Sequence, residues 1–418
     1  GDGLIQAVSI NEQSATYRSR FVQTEKFKAE EKAQRFLYPT WSTLAPKTLT
    51  KNLGARLLPQ AGVTVVKRGD SLVAFDDTGH PYELDWKTLE TRRNLKGDNN
   101  YPLPSYNAHS FFDSKSKQWI QFGMSYGRVN KIHLSISAPD GSPDKQYDYP
   151  VDFSTYMHDF FVTENYVVFL VPALRFNPLK MLAGLSSFID AFTWHPEQAN
   201  QLWVISRKTG ELVSKIETEA SFMWHSLNAF DLGDEIGADF VGYDEPDHVI
   251  GSDGEFHTMM KAQPGVASSP GTVRRYVINP KTHRINTTVV SEGYHEFPMI
   301  NPSYYCREHS VGYFSKGYGA GTNLHNGLAK IDMESGAGQE YFYAEHTHVG
   351  EPIFVADKEH PQDENRGWLI SQFLDGEQGK SGFAIFSASR LGDGPVAELM
   401  METHSPLSFH GWWTSEVA

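Results

Sequence analysis

The chain has 418 residues, 39% hydrophobic and 13% aromatic, with 37 Lys and Arg against 51 Asp and Glu and a formal charge of −14. Affinity for phosphates is built from clustered positive charge, and the chain has no basic run or tail, so nucleic acid is excluded as a partner. Its one cysteine, Cys306, permits neither an internal disulfide nor a thiolate metal cage, and no run of about 18 apolar residues offers a membrane-spanning helix; a cytoplasmic location is expected.

The start, Gly1-Asp2-Gly3, is read as the interior of a longer protein whose upstream segment is missing. Residues 24–36, charged and alanine-bearing, predict a surface helix. Residues 63–75 predict a hairpin turning at Arg68-Gly69-Asp70, and 119–126 and 166–172 predict strands. Residues 178–192 predict a second helix carrying Leu179, Met181, Leu182, Leu185, Phe188, Ile189 and Phe192, with only Lys180 and Asp190 charged. Two readings of it stay open, a helix packed over the core and an apolar patch that dips into a membrane leaflet. Further strands follow at 201–206, 273–279 and 384–387, with turn signals such as Asp77-Thr78-Gly79 and Ser335-Gly336 where one strand hands over to the next. The pattern is that of a large all-β protein, for which a propeller is one option among several, since no fixed repeat is visible.

Four histidines have distinctive settings: His109 in Asn107-Ala108-His109-Ser110, His158 in Met157-His158-Asp159-Phe160, His225 in Trp224-His225-Ser226 and His410 in Phe409-His410-Gly411-Trp412. Imidazoles without a carboxylate suit a first-row transition metal with open positions, and ligands this far apart in sequence need a rigid scaffold. Two more motifs are Glu296-Phe297-Pro298 and Gly350-Glu351-Pro352-Ile353-Phe354.

In that order, and nearly continuously over residues 80–415, these motifs resemble the carotenoid cleavage oxygenase family. The resemblance implies one seven-bladed β-propeller domain spanning 1–418, with helical and loop excursions forming a cap over the metal. It implies iron(II) held by His109, His158, His225 and His410, with no further catalytic acid or base. Three carboxylates would hold the ligand rings from behind. Glu296 and Glu351 match two of them, and Asp76, after the strand ending at Phe75, is assigned as the third, facing His158. Ala61-Gly62-Val63 replaces a family Asn-Thr-x-Val, which puts first-blade closure and access to the oxygen site in doubt.

The implied activity is oxidative cleavage of one carbon–carbon double bond of a carotenoid or apocarotenoid by dioxygen, giving two carbonyl products without a reducing co-substrate. Stilbene-cleaving members resemble one another in a lysine before the first orienting glutamate; Phe75 is assigned to that position here, which favours an apolar polyene. Trp224, Phe222, Tyr156 and Phe160 are assigned with Phe75 to the substrate tunnel. By the resemblance, 178–192 is expected to give peripheral membrane association. The alternatives are stilbene cleavage, retinyl ester isomerisation, and a propeller that binds a partner without catalysis.

Overall fold

Short strands with one face buried on each side must stack face to face, and this chain stacks them around an axis. The computed structural model describes residues 2–11, 13–46, 49–54, 57–251, 253–258, 263, 265, 267–319, 324–402 and 404–416. The first blade is an antiparallel meander of Thr64–Arg68, Ser71–Phe75, Tyr82–Asp85 and Thr91–Asn94. Four more four-stranded meanders begin with Ser110–Asp113, Phe161–Val162, Phe222–Leu232 and Tyr294–Met299. The sixth is five-stranded: Thr347–Val349 and Ile353–Ala356 both pair with Gly367–Asp375, and Lys380–Ser387 and Pro395–Met400 follow.

The core lies between neighbouring blades. Val168, Leu170 and Val204 of the third pack against Ala229, Ala238 and Phe240 of the fourth. Phe122 and Leu134 of the second meet Phe169 and Trp203 of the third. In the fourth blade, Glu235–Tyr243 is buried from its second residue onward, while the outer Arg284–Ser291 is mostly exposed.

Seven blades were expected; the described residues form six, with a two-stranded sheet, Leu4–Ile10 with Ala15–Phe21, beside them. This hairpin is lodged between the last blade and the first. Gln6 donates to the Pro406 carbonyl (3.0 Å) and accepts from Gln372 (3.2 Å) on the sixth-blade side. On the first-blade side the Gln23 amide donates to Thr91 (2.9 Å), and Ile5 and Val22 share a cluster with Ala74, Tyr82 and Leu84. Two strands thus sit where a full blade was anticipated.

The first predicted helix is Glu25–Ala33, capped by Thr24, whose side chain accepts from the Phe27 amide. Its buried Lys26 is fixed between Asp2 (3.0 Å) and Glu30 (2.7 Å). The predicted helix over 178–192 is corrected: only Pro178–Leu182 is α-helical, and Ile189–Ala191 is a 3-10 turn. Gly184 ends the helix at φ +71°, where a Cβ would lie 2.8 Å from the Asn52 backbone. The broken segment splits its apolar residues. Phe188, Ile189 and Phe192 turn inward, while Leu179, Leu182 and Leu185 are 74%, 40% and 65% exposed. The inward residues join Trp41, Leu57, Phe176 and Val249 in a cap over Tyr156 and Trp224.

Arg207 of the third blade donates to Asp113 of the second (2.8 Å) and to the Thr163 carbonyl (2.6 Å), with both charged side chains under 10% exposed. Removing one member strands a buried charge, so Arg207→Ala should destabilise the fold by about 3–5 kcal/mol. Lys115→Ala, breaking the exposed pair with Glu164 between the same blades, should cost less than about 1 kcal/mol. Urea denaturation of the two variants checks the difference.

Candidate metal centre

Each histidine enters from a different place around the axis. His109 immediately precedes Ser110–Asp113, and His158 lies just ahead of Phe161–Val162. His225 is inside Phe222–Leu232, where the register with the next strand shifts between Met223 and Ser226 and again before Asn228. Such bulges re-aim side chains. His410 arrives on the terminal segment, held to the sixth blade by Ser405 N–H to Ser381 (2.8 Å) and Ser408 N–H to Gln372 (2.8 Å).

The four rings offer one nitrogen each, all within 4.8 Å of one another. His109 Nε2 and His158 Nε2 are 3.1 Å apart. Adjacent nitrogens bound at about 2.1 Å to one ion at right angles lie about 3 Å apart, so this spacing suits a shared metal. His225 Nε2 is buried with no hydrogen-bond partner. A buried nitrogen left so is costly unless an ion takes its lone pair.

Three rings are held from behind. His225 Nδ1 lies 2.5 Å from Glu296 Oε2, His410 Nδ1 lies 3.0 Å from Glu351 Oε1, and His158 Nδ1 lies 3.0 Å from Asp77 Oδ1. An acceptor there fixes the Nδ1–H tautomer and leaves Nε2 free for a metal. The assignment of Asp76 to His158 is therefore corrected to Asp77. Asp76 instead accepts the backbone N–H groups of Gln60 (2.7 Å) and Asp77 (2.8 Å). The strand ends at Phe75, and the turn that follows carries Asp77, two residues beyond it, to His158. The clue lay in the Asp77-Thr78-Gly79 turn itself. Burial, then the neighbouring Asp77 charge, pushes Asp76 up to about 6.

Burial and the surrounding imidazoles hold His109 and His225 well below the ordinary histidine value. For His158 burial works in the same direction, but the Asp77 carboxylate together with the Asp159 and Glu296 charges outweighs it and the net shift is upward. Burial raises Glu296. His109 and His225 are accordingly neutral nitrogen donors at neutral pH. Phe297, at φ +48° in a bulge after Glu296, lays its ring along His225 (centroids 5.3 Å, 26°) and beside His410 (5.3 Å).

Of the residues assigned to a tunnel, Trp224, Phe222 and Tyr156 gather on the cap side. Trp224 stands edge-on to His158 (4.8 Å, 90°) and donates its indole N–H to His248 (2.6 Å). Phe222 packs edge-on to Trp224 at 5.0 Å. Phe160 belongs to the core between the second and third blades, against Phe122 and Phe169, and also lines the axial cavity below the histidines. Phe75 is corrected from tunnel wall to core: it is 1% exposed and packs with Tyr106, Leu95 and Leu103. Ala61-Gly62 is explained by a close backbone crossing, since a Cβ on Gly62 would lie 2.7 Å from Gly3 Cα. Sequence reasoning also missed that cavity, about 530 Å³, which reaches His109, His225 and His410 and is lined by Phe111, Met299, Tyr305, Trp412 and Trp413.

The profile of the family described as RPE65, retinal pigment epithelial membrane protein, matches residues 1–415. Apocarotenoid-15,15'-oxygenase of Synechocystis sp. is 26% identical, over 99% of this chain and 85% of that protein. Resveratrol cleavage oxygenase 1 of Aspergillus fumigatus is 27% identical, over 89% of this chain and 76% of that protein. The solved structure of a single-residue variant of the Synechocystis apocarotenoid oxygenase superposes with a TM-score of 0.89 at 25% identity, over 99% of this chain and 87% of that one.

Glu296→Ala frees the His225 ring and should weaken metal affinity by about 10–100-fold, measured by dialysis against a chelator. Phe75→Leu should cost about 1–3 kcal/mol through the void it leaves and leave metal affinity unchanged, because Phe75 fills core away from the histidines.

Proposed function

The chain belongs to the RPE65 family of carotenoid oxygenases, and from that premise we propose that it is a non-haem iron(II) dioxygenase that cleaves a carbon–carbon double bond of a carotenoid or apocarotenoid to two carbonyl products. The observation that carries the reading is the set of four imidazole nitrogens within 4.8 Å, three of them on rings backed by a carboxylate. Bound there by His109, His158, His225 and His410, iron supplies the chemistry that joins dioxygen to an alkene. Asp77, Glu296 and Glu351 orient the ligand rings. The aromatic groups on the cap side exclude water and position a flat apolar chain against His158, which decides the bond that breaks.

The polyene is favoured over a phenolic stilbene on amended grounds. With Asp77 as the orienting carboxylate, the residue before it is Asp76, whose oxygens already accept two backbone N–H groups. No cationic anchor for a phenolate stands at that position, and the groups facing His158 from the cap are Tyr156 and Trp224. Stilbene cleavage is the second reading, kept because of the resveratrol-cleaving relative.

Among the described residues, no helix is long and apolar enough to cross a membrane. Leu179, Leu182 and Leu185, with the exposed Leu53 next to a Gly54 N–H to Leu182 carbonyl bond, form the patch for peripheral membrane contact. Leu179→Asp with Leu185→Asp should release the protein from phospholipid vesicles in a flotation assay without altering bound iron.

The deciding measurement is iron content with loss of polyene absorbance on aeration, against apocarotenoids, β-carotene and resveratrol. One iron per chain with polyene cleavage is expected, and His410→Ala should lose both together. Cleavage of resveratrol alone moves the chain to the stilbene reading. Absence of iron after reconstitution overturns both and leaves a propeller that binds without cutting.

A further inference from the structure

Two histidines are each served by one glutamate, whereas His158 is served by a shorter residue and a second oxygen. Its Nδ1 lies 3.0 Å from Asp77 Oδ1 and 2.8 Å from the Tyr156 hydroxyl, so the phenol is the nearer partner. Asp77 is one methylene shorter than Glu296 and Glu351, and among the described residues only here does a hydroxyl share the ring nitrogen. We propose that Tyr156 is a positioning residue which, with Asp77, forms a two-member acceptor for the His158 Nδ1–H, the pair doing what a single glutamate does behind His225 and His410. This rests on the reading of the four histidines as metal ligands.

The proton inventory supports the pair. With Nε2 turned to the other ligands, Nδ1 carries its one proton, which can be shared between the phenol oxygen and Asp77. The phenol, acting as acceptor there, still has its own proton to donate, and the Asp77 carboxylate beside it is the available acceptor. The geometry is enforced from both directions along the chain. Tyr126 OH donates to the Thr155 carbonyl (2.7 Å) and Asn107 donates to the Met157 carbonyl (2.5 Å), pinning the backbone around Tyr156. The ring is 2% exposed, wedged between Trp41 (5.5 Å) and Phe192 (5.6 Å). Its hydroxyl is therefore committed to the ligand and unavailable to a substrate oxygen.

A shared role predicts mutual compensation. Tyr156→Phe removes the nearer acceptor, and Asp77→Glu drives a longer carboxylate into the space of the hydroxyl. Each alone should weaken cobalt(II) affinity about tenfold or more and alter the visible spectrum of the cobalt(II) protein. Asp77→Glu combined with Tyr156→Phe restores a one-glutamate arrangement, and its affinity should return to within about threefold of the parent. Unchanged cobalt(II) affinity and spectrum in Tyr156→Phe, or a double variant as weak as the two single losses combined, overturns the proposal. Nitrogen NMR of the metal-free protein gives a second arm independent of metal. The parent should show His158 in the Nδ1–H tautomer, and Tyr156→Phe should show a tautomer mixture; an unchanged tautomer in that variant overturns the pairing. Should the parent take up no cobalt(II), the ligand reading fails and the NMR arm alone decides the pairing.

Discussion

Four imidazole nitrogens meet within 4.8 Å of one another, and the rest of the structure follows from the requirement of holding them there. Nothing in an imidazole favours such a gathering, because the lone pairs repel and lose their water. The constraint is met by pinning each ring at a distance from the point where the nitrogens meet. His225 sits in a strand broken by two register shifts, and Phe297 adopts φ +48° to lie along the His225 ring. A left-handed non-glycine residue costs roughly 1 kcal/mol or more, so the surrounding packing must offset that strain.

The same requirement explains the buried acids. Asp77 and Glu296 are each about 95% removed from solvent, and a carboxylate in that position is unfavourable unless something answers its charge. His225 and Glu296 shift in opposite directions, down for the imidazole and up for the acid, so each favours its neutral form. A divalent cation among the rings reverses this logic, since it favours the carboxylate as acceptor and leaves the imidazole to donate Nδ1–H. Neutral donors facing inward with acids behind them are an arrangement suited to a cation and poorly suited to its absence.

Much of this was legible in the sequence, because the four histidines are marked by their flanks and because Glu296 and Glu351 each precede a proline in an apolar turn. The third acid was misplaced by one residue. The assignment took the residue directly after Ser71–Phe75, a strand whose last three residues are all buried, whereas the turn after it brings Asp77, in place of Asp76, to His158. That single step also displaced the substrate argument, because Phe75 then falls two residues before the orienting acid and into the first-blade core. The segment 178–192 has the composition of one apolar helix, yet Gly184 packs so closely on Asn52 that the chain must turn there. The hairpin between the last blade and the first was illegible for a different reason. Its first strand is mostly half-exposed and its second mostly exposed, neither carries strong alternation, and its place is set by contacts with residues some 400 positions away, such as Gln6 with Pro406.

The metal centre divides two unlike spaces. Toward the cap, the two polar groups on the aromatic rings packed against His158 are already paired to protein: the Trp224 indole to His248, the Tyr156 phenol to His158. The rest of that face is packed aromatic surface, with Trp41, Phe188, Phe192 and Phe222 around the two rings. Along the axis, the cavity of about 530 Å³ mixes Asn228, Ser226 and Glu351 with Met299, Phe111 and Trp412. Its wall includes the terminal segment, held in part by the Lys67 pair with Glu416 at 2.7 Å. On the cap side Tyr156 links the aromatic cluster to the hydrogen bonds of His158, its ring packing on Trp224 (6.4 Å) and its hydroxyl lying 2.8 Å from His158 Nδ1. A change in cap packing that moves this ring moves the His158 imidazole with it, so the cap and the geometry of the four-histidine cluster are mechanically one unit.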